Sequence, residues 1–320
     1  MTNLSWRELI IDEKGAGQRI DVFLSRRFSK YSRSFISKSI SLGEIRCPNR
    51  NIKPSSILYM GQVIQIFIPG LAPTEPPPPL PEILFEDDDL LVVNKPAGML
   101  VHPAGDTFVW ALIGLFKDAR PKHCLDLVHR LDRDTSGTLL LTKNKKSNSI
   151  MKKQLQEGNI NKVYQALVIG TPNWKHYDLH APIDISPNSS IRLRRAVVEN
   201  SYPSHTTFRV LQCLDNLSLV ECVLHTGRTH QIRVHLEHLG YPILGDKIYG
   251  QDDRYFLQYL KKGLSQELCD RFRFPRHALH AARLQIKHPD GSTRVFESPL
   301  PSDMENIITG GAPSWTLTPK

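Results

Sequence analysis

The stretch LVHRLDRDTSGTLLLTKN, Leu127–Asn144, runs from a dense polar loop through Gly137 into the apolar segment TLLLT. The second half reads as a buried β-strand. Charge pressed against such a strand is costly unless it is paired or carries chemistry. Asp132 lies in the loop between Arg130 and Arg133, and Asp134 follows. A carboxylate beside guanidinium groups stays ionised, which suits a nucleophile and not a general acid. A surface ion-pair cluster, with Thr135–Gly137 making the turn, accounts for the same residues.

Working outward, ILFEDDDLLVVNKP reads as two short strands joined by an acidic turn, and Pro96–Gly98 as a further turn. NSIMKKQLQEGN is expected to be a helix ending near Gly158, and NKVYQALVIG a strand. TTFRVLQCLDNLSLVECVLHTG gives two antiparallel strands about Asp215–Asn216. In RTHQIRVHLEHLG, Ile232, Leu236 and Leu239 keep a helical spacing, with Gly240 at the C-terminal cap. HALHAARLQIKHPDGSTRVFESP turns at Asp290–Gly291. Neighbouring strands interrupted by helices predict an α+β domain on a mixed, largely antiparallel sheet over 83–305.

The charge is unevenly placed. Between Gln18 and Arg50 stand eight Lys/Arg against Asp21 and Glu44, a net +6 out of +9 for all 320 residues. Excess positive charge favours a polyanionic partner, although a solvated basic face has the same composition. RIDVFLSRRF reads as an amphipathic helix. Ser32 is placed to cap a second helix whose Phe35, Ile36 and Ile40 face inward. SSILYMGQVIQIFIP alternates about Gly61 as a β-hairpin does. This predicts a small α/β RNA-binding module over 18–70, with Arg33 and Lys38 turned outward, behind an N-terminal extension of 1–17. The Pro-rich LAPTEPPPPLPE, 71–82, is expected to be a stiff linker, and 306–320 a flexible tail.

No apolar run approaches the roughly 20 residues of a membrane span, and the start lacks the order of a signal peptide. A cytoplasmic protein without a membrane partner is expected. Five scattered cysteines, none in C-x-x-C, argue against a disulfide framework and a cysteine zinc site. Neither G-x-G-x-x-G nor the phosphate-binding G-x-x-x-x-G-K-[ST] occurs, so no nucleotide cofactor is expected. His225, His230, His235 and His238 match neither the zincin pattern nor a structural finger, so no metal is expected. Arg233, next to Ile232, can turn inward, and a buried arginine needs a carboxylate such as Asp132. Tyr164 is either a core aromatic or a residue that stacks on a base or moves a proton.

HRLDRDTSG, NKVYQALV, TGRTHQIRVHLEHLGYPILGDKIYG and LHAARLQIKHP, in this order, resemble the RluA-type family of RNA pseudouridine synthases. DDLLVVNKPAGMLVHP fits the family's opening strand and loop, while AGDTFVWAL is shorter than the loop usual there. Gln18–Ile68 is similar to the S-four-type RNA-binding domain shared with a small-subunit ribosomal protein, with RCPNRNIKP a departure from its turn. The resemblance implies isomerisation of uridine to pseudouridine in RNA, most often large-subunit ribosomal RNA, without cofactor, metal or energy source. It makes Asp132 the catalytic aspartate and Arg130 the residue that fills or supports the gap left by a flipped uridine. Tyr164 would stack under the base and help remove the carbon-5 proton, and Arg233 would orient Asp132. Arg228 and His230 are expected to touch RNA. Two other classes remain: a non-catalytic RNA-binding protein, which the presence of Asp132 disfavours, and a nucleoside or glycoside hydrolase using Asp132 and Asp134. The hydrolase needs two carboxylates facing each other across roughly 5–9 Å.

Overall fold

The computed structural model describes residues 7–28, 31–67, 77–102, 111–120 and 122–311. Parts of the Pro-rich linker, most of AGDTFVWAL and the end of the tail lie outside the described residues. The chain divides into two compact units, Met1–Leu80 with His102–Leu115, and Pro81–Val101 with Phe116–Lys320.

The first unit holds strand β1 (Arg7–Ile10), helices α1 (Ile20–Arg27) and α2 (Arg33–Ser41), and strands β2 (Ile45–Arg46) and β3 (Val63–Ile66). Ser32 caps α2 by accepting from Phe35 N at 3.2 Å. Ile20, Leu24, Ile36, Ile40 and Ile64 close its core. Three expectations need correction. β1, placed in the N-terminal extension, pairs antiparallel with β3 from Arg7↔Ile66 to Ile10↔Val63, so ordered structure starts ahead of Gln18. Because β1 and β2 occupy both sides of β3, Ile57–Met60 does not form the near arm of a hairpin, and Leu58 N donates instead to Gln18 O at 2.9 Å. Phe35 is 39% exposed and stacks on Tyr31 with ring centroids 4.7 Å apart.

Helix α3 (Leu112–Ala119) straddles the division. The second unit is built on β4 (Glu82–Glu86), β5 (Leu90–Lys95), β6 (Asp126–Leu127), β7 (Ser136–Thr142), β8 (Asn161–Ile169), β9 (His176–His180), β10 (Ile183–Ile185), β11 (Arg195–Val197), β12 (His205–Cys213), β13 (Leu217–Leu224), β14 (Leu279–Lys287) and β15 (Thr293–Glu297). Its helices are α4 (Lys145–Gln156), α5 (Gln231–His238), α6 (Asp253–Lys262), α7 (Gln266–Phe272) and α8 (Ser302–Ile308). α8 runs into the stretch expected as tail, because Met304 and Ile307 are buried.

The main sheet runs β4-β5-β7-β14-β8-β13-β12-β9, with β15 on β14 and β6 on β7; β10 and β11 form a separate pair. Among the described residues only β14 and β7 pair in parallel, through His280↔Ser136 and Ala281↔Gly137. The sheet is therefore mixed and largely antiparallel, on an α+β domain. Every residue of β7 is buried, as a strand covered on both faces requires. Leu90, Val92, Leu140, Met151, Leu284 and Phe296 share one core cluster. β14, last but one in sequence, lies between β7 and β8, so a late strand supports the end of the polar loop.

Candidate active site

The loop Val128–Thr135 links β6 to β7 and is fastened at several points. Lys95, at the end of β5 and 0% exposed, donates from Nζ to Pro96 O, Met99 O and Arg133 O at 2.8–2.9 Å. Burial lowers this amine to about 7, against the opposing pull of Asp134 and Asp132. Gly98 N also donates to Arg133 O, at 2.9 Å. Thr135 Oγ1 pairs with His277 Nε2 at 2.7 Å. His280 Nε2 donates to Ser298 O, so its Nδ1 accepts from Ser136 Oγ at 2.9 Å. At the start of β7, Gly137 has φ +110, and a Cβ there would sit 2.3 Å from Ala281 O. Only glycine lets β7 approach β14 so closely.

Helix α5 brings Arg233 to this loop. Its guanidinium is 6% exposed; Nη1 donates to Asp132 Oδ2 at 2.9 Å. Nε and Nη2 grip Asp246 Oδ2 and Oδ1 at 2.6 and 2.9 Å. Asp246 is wholly buried and also accepts from Ile248 N and Tyr249 N. Two carboxylates thus share one arginine, and the Asp246 pair is bidentate. Sequence reasoning missed Asp246, since nothing local in GDKIYG marks its aspartate as buried.

Burial pushes the Asp132 carboxyl up, but Arg233, His230 and His277 together outweigh it and hold the group below its usual value. His230, where α5 begins, points Nε2 at Asp132 Oδ2 from 3.7 Å. It adopts φ 61, ψ 18, an uncommon conformation for a non-glycine residue. Tyr249 OH accepts from Arg195 N at 3.0 Å and lies 2.9 Å from His230 Nδ1. With the hydroxyl donating to Nδ1, the tautomer the nearby carboxylate favours, the neutral imidazole turns an N–H toward Asp132. Burial, with Arg233 adding to it, lowers His230 to about 4; burial and Arg233 likewise take His277 to about 3. Both rings are uncharged at neutral pH, which leaves Arg233 as the permanent cation in contact with Asp132. His230, expected to touch RNA, has a side chain 12% exposed that sits in this cluster beside Asp132.

Asp132 is 32% exposed, and its Oδ1 has no partner among the described residues. The carboxylate is held by one oxygen and free at the other. Arg133 does not face it; Arg133 Nε donates to Asp134 Oδ1 at 3.1 Å. The partner comes from α5, 101 residues away. Arg130 is exposed, and its side chain makes no hydrogen bond or ion pair among the described residues. Tyr164 on β8 is 6% exposed, and its hydroxyl has no hydrogen-bond partner among the described residues. Burial, followed by Asp132, raises its phenol. Arg228 is exposed, donates to Pro203 O at 3.2 Å and lies over Tyr202 at 5.6 Å. Arg33 and Lys38 belong to the first unit; Arg33 donates to Asp21 Oδ2 at 2.8 Å, and Lys38 is exposed.

The histidine run of α5 does not converge on an ion: His235 is spent between Thr206 Oγ1 and Ala181 O. A different set, Asp178, His205 and His225, brings ligand atoms within 4.8 Å of one another. Those atoms already satisfy one another, Asp178 Oδ1 with His205 Nε2 at 2.7 Å and Thr207 Oγ1 bridging Asp178 and His225.

The sequence profile of the RNA pseudouridylate synthase family matches residues 89–238, which contain Asp132, Tyr164 and Arg233. An uncharacterized RNA pseudouridine synthase of Chloroflexus aurantiacus is 38% identical over 94% of this chain and 92% of its own length. The ribosomal large subunit pseudouridine synthase D of Xanthomonas campestris pv. campestris is 35% identical over 95% and 92%. The ribosomal large subunit pseudouridine synthase C of Vibrio cholerae is 34% identical over 93% and 95%. Among solved structures, human RNA pseudouridylate synthase domain containing 4 is similar with a TM-score of 0.56 and 28% identity, covering 71% of this chain and 92% of that one. Relatedness along almost the whole length, joined to an ionised, half-open aspartate on a clamped loop, places the chain in the RluA-type family of RNA pseudouridine synthases.

Proposed function

We propose that this synthase isomerises uridine in large-subunit ribosomal RNA, in the cytoplasm, with Asp132 as nucleophile on a uridine flipped out of its helix. The observation that carries the reading is Asp132 itself, ionised through Arg233 on Oδ2 and open on Oδ1. The N1–C1′ bond breaks, the uracil turns, and C5 bonds to C1′ while the C5 proton leaves and N1 gains one. Substrate and product are isomers, so nothing is consumed. Departure of uracil leaves positive charge on the ribose, which the free carboxylate oxygen meets. Arg130, exposed on the same loop, fills the gap in the helix; flipping costs a few kcal/mol, which such contacts offset. Tyr164 stacks under the base, and its raised phenol keeps it neutral, which argues for stacking over service as a resting phenolate base. The first unit grips the RNA backbone with Arg33 and Lys38. The names of the Xanthomonas and Vibrio relatives support the choice of ribosomal RNA.

The test is carbodiimide mapping of pseudouridine in total RNA from cells with and without the gene. At least one large-subunit signal should vanish on deletion, return with the intact gene and stay absent with Asp132→Asn. A ribosomal RNA map unchanged by deletion rejects the substrate, and rescue by Asp132→Asn rejects the nucleophile.

A further inference from the structure

Six lysines and arginines are less than a tenth exposed among the described residues: Lys95, Lys143, Lys162, Arg233, Lys247 and Arg276. Lys95 is held by three carbonyls, Lys143 by Glu86, Lys247 by Asp134 and Pro275 O, Arg233 by two aspartates and Arg276 by Asp303. Lys162 has nothing. It is 8% exposed, and neither hydrogen bond nor ion pair reaches its amine among the described residues. An ammonium withdrawn from water without an anion costs several kcal/mol, and folded chains keep one only where something else uses it.

Its position says what uses it. Lys162 precedes Tyr164 by two residues on β8, so both side chains leave the same face of the strand. Its register neighbours are Leu224 on β13 and Leu284 on β14, neither of which offers an acceptor. A Cβ on Gly227 would lie 3.7 Å from Nζ, which puts the amine beside the loop between β13 and α5. Its charge is felt at His129, next to Arg130, and at His225. The small part of Lys162 that stays exposed, 8%, leaves an approach for an anion from outside.

We propose that Lys162 holds one backbone phosphate of the RNA strand that carries the target uridine, at the Gly227 edge of the catalytic loop. This rests on the reading that uridine is flipped toward Asp132. The unpaired charge is then a docking point that RNA completes, and the free protein carries it at a cost in stability.

The experiment uses the full chain, an RNA hairpin spanning the uridine found by mapping, and hairpins with a single uncharged methylphosphonate linkage at each flanking position. Lys162→Gln should weaken hairpin binding roughly ten- to hundredfold, the range of a hydrogen bond to a charged group. It should flatten the logarithmic salt dependence by about 0.7–0.9, one phosphate's share. The loss should appear in KM and spare kcat, and Lys162→Arg should recover most of it. One neutral linkage should cost the wild type as much as the substitution does, and cost Lys162→Gln nothing further. Without RNA, Lys162→Met should melt higher than the wild type. An unchanged salt slope, a fall in kcat at saturating RNA, costs that add on Lys162→Gln, or a lower melting temperature for Lys162→Met would each overturn the assignment. Binding of inorganic phosphate alone, with every methylphosphonate tolerated, would also overturn it. Wild-type conversion of the same hairpin is read separately, so failure of the substrate reading is distinguishable from failure at Lys162.

Discussion

Asp132 and Asp246 divide one guanidinium unequally. Asp246 takes two of its N–H groups in a fully buried pair, while Asp132 takes one and stays 32% exposed. Removing one partner of a buried pair typically costs ~3–5 kcal/mol, because the other charge is left uncompensated. Asp246→Asn should therefore lower the melting temperature more than Asp132→Asn, and reduce turnover because Arg233 loses its anchor. Double-mutant cycles on thermal unfolding should give a larger coupling for Arg233 with Asp246 than with Asp132; equal couplings contradict the geometry. The two neutral histidines give a second prediction. His277, 6.5 when unperturbed and about 3 in the fold, leaves the unfolded chain holding more protons between those values. Stability from this group is present above about 6.5 and is lost as pH falls toward 3. His277→Asn loses the contact to Thr135, so it should melt below the wild type at pH 7. The difference should shrink by about pH 4.5, where the native ring resists protonation. A gap that widens on acidification would refute the buried neutral ring.

The element that matters is the loop between β6 and β7, and its rigidity comes from outside it. Gly137 permits β7 to touch β14, and the tertiary contacts of Thr135 and Ser136 reach His277 and His280. Gly137→Ala should cost at least about 2 kcal/mol, since a positive φ is strained for alanine and the new Cβ meets backbone at 2.3 Å. Activity should fall with it, and a variant as stable and active as the wild type would contradict the close approach. Lys95 acts on the same loop through three carbonyls. Lys95→Met should raise amide exchange at Gly98 and Thr135 while the amides of β8 and β13 stay protected. Exchange unchanged at Gly98 would show that the clamp lies elsewhere.

At the scale of the whole molecule, positive charge is densest over Gln18–Arg50 in the first unit, while Asp132 and Arg233 stand in the second. Sequence-independent binding to a phosphate backbone scales with the phosphates neutralised, each worth about 0.7–0.9 in the logarithmic salt slope. Substituting both Arg33 and Lys38 by Gln should lower the slope for hairpin binding by about 1.4–1.8, with kcat kept. An unchanged slope would show that this face does not meet RNA. Arg19 continues to neutralise buried Asp21 when Arg33 is replaced, so the unit should stay folded.

The sequence by itself determined the strands β4, β5, β7, β8, β12, β13, β14 and β15 and helices α1, α2, α4 and α5, because their apolar spacing and their caps and turn residues act over a few residues. It also marked Asp132 and Arg233, through the polar loop before β7 and an arginine beside an apolar stripe. Tertiary structure alone decided the rest. β1 is too short to declare itself, and only its bonds to β3 make it part of the first unit. The insertion of β14 between β7 and β8 is a long-range pairing with no local signature. Arg130 and Arg133 flank Asp132 in sequence, yet Arg233 ionises it, because a loop turns successive side chains apart while a helix from a distant segment aims one inward. Asp246 as the buried counter-charge and Lys162 as the charge without one follow from the same fact. Whether a charged group is paired depends on what the fold places within about 4 Å of it, and chain neighbours do not set that distance.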